Sequence, residues 1–149
     1  MRKRIYLAII NALKAEIPAI RHYDLWNQNV EFYEDYIFDT PAVFIEFDTI
    51  RYSPLKSDTY RGTVTVRLHV VTRQSSVSAD GSYSQQQALE FLDLLSDIQA
   101  VVTRLSTDGC TIPELASSMT NHDHEQLMEN IEEFNIRFTE RFDRKETEG

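Results

Sequence analysis

Two histidines stand one residue apart in Thr120-Asn121-His122-Asp123-His124-Glu125, interleaved with two carboxylates. On an extended chain His122 and His124 point to one side, and Asp123 and Glu125 to the other. Two imidazoles on one side begin a zinc site, but a structural or catalytic zinc takes at least three protein ligands. No cysteine pair, no histidine at i+4 and no His-Glu-x-x-His pattern accompanies them. His69 is the other strand histidine, and nothing in the sequence brings it near. Asn, Asp and His also suit a chain reversal. The stretch therefore reads as the polar tip of a hairpin, solvated or set against another subunit. A small metal-dependent hydrolase using His122 and His124 is the weaker alternative.

The remaining reactive side chains are scattered. Cys110 is the single cysteine, which rules out a disulfide within the chain and fits a reducing compartment. No local signature pairs it with a histidine, so it reads as a partly buried free thiol. His22, in "RHYD", is a strand entry. No Gly-rich phosphate loop and no Gly-x-Ser-x-Gly elbow occurs. Acidic pairs such as Glu132-Glu133 read as solvated faces, and Arg2-Lys3-Arg4 as a solvated helix start. Trp26, in "DLWNQNVEFYE", lies apart from the periodic segments. It is either folded onto the domain edge or an anchor for a partner. The chain is read as a non-enzyme with no cofactor and no metal.

The elements that carry these residues follow from periodicity. Ile5, Ile9, Leu13 and Ile17 recur at helical spacing until Pro18 ends the helix. Ile20 to Leu25 reads as a short strand. From Ala42 the period becomes two: Val43, Ile45 and Phe47 alternate with Phe44, Glu46 and Asp48, giving a strand over 42–52. Pro54, Ser57 and Asp58 mark a turn, and "GTVTVRLHVVTR" is the clearest strand, pairing with the first as a hairpin with a loop of roughly ten residues. "QSSVSADGSYS" reads as a mobile loop, and Ser84 to Leu105 as a helix with Ser84 as N-cap and a stripe that includes Phe91, Leu92, Leu95 and Ile98. Asp108-Gly109 turns the chain into a final hairpin, with a weaker strand near Leu115 to Thr120 and then a long one in which Phe134, Ile136 and Phe138 alternate with Asn135, Arg137 and Thr139.

One-sided strands and two amphipathic helices predict an α+β, two-layer sandwich, with a mainly antiparallel sheet of four to five strands and both helices on one face. Residues 1–142 form one domain and 143–149 a charged flexible tail. On the uncovered face Glu46, Asp48, Arg67, Arg137 and Arg141 are placed to pair across strands. Trp26, Glu46, Arg67 and Arg137 are the candidate subunit-interface residues.

Composition bounds the function classes. At 149 residues, 42% apolar and 26% charged, the chain suits one soluble domain with a real core. A net charge of −9 opposes wrapping DNA, though not a wall along which DNA slides. No apolar run approaches the roughly 20 residues of a membrane span, and "MRKRIYLAII" is read as the first helix of a cytosolic protein rather than a signal peptide.

The helix "RKRIYLAIINALKA", the segment "DLWNQNVEFYEDYIFDTPAVFIEF", the strand "RGTVTVRLHVVTR" and the ending "NHDHEQLMENIEEF" together resemble a tail terminator or head–tail completion protein of long-tailed bacteriophages and prophages. The resemblance covers most of residues 2 to 142 and lies in order and texture, not in a catalytic signature. It implies a non-enzymatic virion subunit, made in the host cytoplasm, that forms a ring, commonly a hexamer, at the end of the tail tube. It also implies as partners further copies of the chain, the tail tube protein and the head connector, with DNA only as cargo passing an acidic lumen. Other neck or connector adaptors share the same texture. A monomeric ligand-binding α+β domain is a further class of answer.

Overall fold

The computed structural model describes residues 1–31, 33, 37–73, 81–82, 85–122 and 127–143. Eight elements run in the order α1 (Arg2–Glu16), β1 (His22–Leu25), β2 (Ala42–Phe47), β3 (Arg51–Lys56), β4 (Thr59–Arg73), α2 (Gln85–Val102), β5 (Glu114–Asn121) and β6 (Leu127–Arg141). The fold is α+β, with six strands in one mostly antiparallel sheet.

Helix α1 buries Ile5, Ile9, Ile10 and Leu13 on one side. Ile17, pressed by the ring of Pro18, leaves the α region at φ −128° and ψ 75° and ends the helix. Helix α2 buries Phe91, Leu94, Leu95, Ile98, Val101 and Val102. Leu92, expected in that stripe, instead faces outward and is 57% exposed, because Leu94 and Val101 complete the inward face. Both helices lie on the sheet face formed by Val43, Ile45, Val64, Val66, Leu68, Val70, Phe134, Ile136 and Phe138, and these residues form the main core.

The sheet order is β1-β2-β4-β6-β5, with β3 also on β4. Its spine is the β4–β6 ribbon, paired without a break from Thr59↔Arg141 to Arg73↔Leu127. β1 runs parallel to β2, and the other pairs are antiparallel.

The single strand expected over 42–52 is two strands. Asp48 turns its carboxylate back to the Thr49 amide at 2.8 Å, and such a side-chain bond competes with the ladder. The chain then resumes as β3, end to end with β2 along β4. No ten-residue loop separates the runs. A tight turn at Ser57-Asp58 joins β3 to β4, with Lys56 opposite Thr59. Pro54, expected to mark the turn, sits inside β3, as an edge strand and its register shift permit. The last strand is long, as expected, running from Leu127 to Arg141, and six strands replace the expected four or five.

The second sheet face, expected to be uncovered, is partly roofed. The chain after β1 folds back so that Val30 joins Ala42, Phe44, Val71 and Leu127 in a second buried cluster. Trp26, Tyr33 and Phe38 pack against it.

Candidate functional site

The candidate interface residues lie beside this second cluster. The register places Glu46 of β2, Arg67 of β4 and Glu133 of β6 on one rung. Strand alternation sends all three side chains to the face opposite the helices. Arg67 donates from Nε to Glu133 at 2.7 Å, from Nη1 to Glu46 at 3.3 Å and from Nη2 to Asp48 at 2.9 Å. One guanidinium thus holds three carboxylates. The Arg67 bond, seconded by the Ser117 hydroxyl, holds the Glu133 carboxyl below the usual carboxylate range. Asp48 is lowered in the same direction, first by the Thr49 amide and then by Arg67.

Two residues along β4, His69 is buried between Glu46, shared with Arg67, and one further carboxylate, that of Glu129. Its Nε2 lies 3.3 Å from Glu46 Oε1 and its Nδ1 lies 3.4 Å from Glu129 Oε1. Trp26 roofs it, the two rings parallel with centroids 3.7 Å apart, and meets Phe44 edge-on. The Trp26 amide also donates to the Ile45 carbonyl at 2.9 Å, continuing the line of β1. Of the two readings of Trp26, folding onto the domain edge is what the structure displays. Trp26, Glu46 and Arg67 come together as one patch.

Arg137 does not join them. It lies four residues further along β6, opposite Thr63, and reaches Glu114 at 3.6 Å. Arg141 likewise leaves the patch for Asp58 and Asp143, each at 3.1 Å. The patch is consequently acidic: Glu46, Asp48 and Glu133 converge on the one arginine, and Glu129 lies beside His69.

His69, Glu129 and Glu133 were missing from the sequence-derived set. Residue parity put His69 on the polar face, but only the β4–β6 register brings the two glutamates to it. Glu132 overturns the solvated reading: it is fully buried on the helix-covered face, as its parity with Phe134 and Ile136 requires. Gln99 of α2 donates to it at 3.1 Å, Ser118 at 2.7 Å and Asn130 at 2.6 Å. Burial of such a carboxylate is tolerated because its oxygens are hydrogen-bonded.

His122 is exposed just past the end of β5, and Asp123, His124 and Glu125 lie outside the described residues, as do Ser84 and most of the loop expected at 74–84. The tail residues 144–149 do so too. β5 and β6 pair antiparallel, with Asn121 opposite Glu129. Among the described residues no group of three or more His, Cys, Asp and Glu is arranged to hold a metal. His22 opens β1 as expected, stacked on Phe38. Cys110 is a half-buried free thiol, its Sγ 3.6 Å from Met1 Sδ, and burial pushes its pKa up against the pull of Arg4 and the N-terminus.

Beside Trp26 an open groove of about 500 Å³ runs between α1 and the β1–β2 edge, lined by Arg2, Lys3, Tyr6, Leu25, Ile45, Glu46 and Phe47 as well as the Trp itself. No protein-family model and no curated protein matches this chain. Among the described residues no helix is long and apolar enough to cross a membrane.

Proposed function

We propose that this chain is a non-enzymatic structural subunit of a bacteriophage neck, a tail terminator or head–tail joining protein that works as a ring at the end of the tail tube. The observation that carries the reading is the acidic sheet face with its charges paired to one another. Arg67 is fully engaged by Glu133, Asp48 and Glu46, and His69 is clamped under Trp26. These groups are directed at one another. A face of fixed, mutually paired charges suits contact with other proteins and passage of DNA without sticking, since phosphate binding needs a surplus of Lys and Arg. The resemblance of the segment order to neck proteins supports the same reading. In this role the partners are further copies of the chain, the tail tube and the head connector, and the place is the virion.

The test is reconstitution. Tail tubes assembled with the protein end at a defined length and join filled capsids, whereas tubes assembled without it overgrow and stay unjoined. Tubes of normal length that join capsids without the protein would remove the terminator reading.

A further inference from the structure

The basic and acidic charges of the helical layer are segregated. Helix α1 carries Arg2, Lys3 and Arg4 in its first turn, whereas α2 carries Glu90, Asp93 and Asp97 and no cation at all. Both sets are exposed, and each adjoins exposed apolar side chains. Next to Arg2 and Lys3 is the groove with Tyr6, Trp26, Phe47 and a Leu25 that is 52% exposed. On α2, Leu89 and Leu92 are exposed beside Asp93 and Asp97. Positions 89, 92, 93, 96 and 97 follow the i, i+3, i+4, i+7, i+8 spacing of a single helix face. Glu46, the acidic residue in the groove wall, is already turned to Arg67 and His69.

We propose that the groove beside Trp26 receives the outer face of α2 from a second copy of this chain, with Leu89 and Leu92 in the apolar floor and Asp93 and Asp97 against Arg2 and Lys3. This rests on the ring-subunit reading above and names its contact. An amphipathic helix laid into an apolar groove is a recurrent mode of recognition, and opposite charges at the rim fix its register. The two patches differ, so each copy offers a groove to one neighbour and a helix to another. Such a heterologous contact closes into a ring or runs on as a filament, and does not stop at a two-fold dimer.

Charge reversal tests it. Arg2→Glu/Lys3→Glu makes both patches acidic, and Asp93→Lys/Asp97→Lys makes the helix face basic like the groove rim. Each variant alone is expected to lose at least tenfold in self-association by sedimentation, with an unchanged circular dichroism spectrum. An equimolar mixture then recovers assembly, because every helix meets a groove rim of opposite charge in strict alternation. Leu92→Arg, at an exposed position that plays no part in the core, is expected to weaken assembly alone without rescue by either partner. Wild-type assembly by either reversed variant, a folded mixture that stays monomeric, or a wild type that is monomeric at its highest soluble concentration would each overturn the contact. Reversed variants that still cap tail tubes singly would sink this contact and leave the neck reading standing. An assembly that obeys the charge swap yet leaves tubes uncapped would do the opposite.

Discussion

Replacing Arg67 by Met keeps the aliphatic stem and removes the guanidinium on which Glu46, Asp48 and Glu133 converge. Arg67 is 27% exposed at its side chain, so each bond is screened by water, and a partly exposed ion pair contributes at most about 1 kcal/mol. Counting only the Glu133 and Glu46 bonds, and adding a few tenths for carboxylates left facing each other across an emptied rung, the loss at neutral pH is about 2 kcal/mol. For a domain of this size that lowers Tm by about 4 to 8 °C. The pH dependence identifies the cause. The folded-state pKa of Glu133 is depressed, so its contribution is present above its unfolded value and lost as pH falls through the folded value. The wild type therefore loses stability on acidification more steeply than the variant, and the gap is wide at about pH 7 and narrow at about pH 3. Thermal unfolding followed by circular dichroism at both pH values measures it. An equal gap at the two pH values would show that Arg67 acts through its stem and not its charge, and an unchanged Tm would refute the ladder as a stabilising element.

Trp26→Ala strips the roof from His69 and from part of the second cluster, and should cost about 2 to 3 kcal/mol in chemical denaturation, below the 3 to 5 of a fully buried Trp; a loss under 0.5 kcal/mol would show that the stacking contributes nothing. His69→Ala should shift emission of this single tryptophan to the red as water reaches its inner face, and unchanged emission would mean that the rings are not stacked in solution. Gly62→Ala would drive a methyl into the Phe138 ring, which lies directly across the ladder, and should lower stability by about 1 to 3 kcal/mol. Glu132→Leu leaves the Gln99, Ser118 and Asn130 donors without their acceptor and should cost about 2 kcal/mol, read as a shifted urea midpoint with an unchanged slope.

The layers were legible in the sequence because their signals are local. Ile5, Ile9 and Leu13 mark one face of a helix, and Val64, Val66 and Leu68 one face of a strand, whatever lies around them. What escaped was set by register and by distant partners. The burial within β6 was hidden because Glu129, Asn130 and Glu132 look like surface. They are strand residues met by His69 of β4, Thr120 and Ser118 of β5 and Gln99 of α2, three other elements. The break after Phe47 turns on one side-chain bond from Asp48, too small a feature for periodicity to register. Of the candidate interface residues, Glu46 and Arg67 shared a face by parity alone, whereas Arg137 has that parity but sits four residues further along β6 than their rung. The roof of Trp26 needed the path of the chain after β1, which is aromatic and aperiodic.

The unbroken β4–β6 pairing has a mechanical consequence. Each strand is 15 residues long, so the ribbon extends about 50 Å, roughly twice the length of α1. A pull along its length loads every rung of hydrogen bonds at once, in shear. A pull across one end loads the rungs singly and unzips them. The subunit is thus stiff in one direction and weak in another, and any assembly built from it withstands tension best when these two strands lie along the line of force.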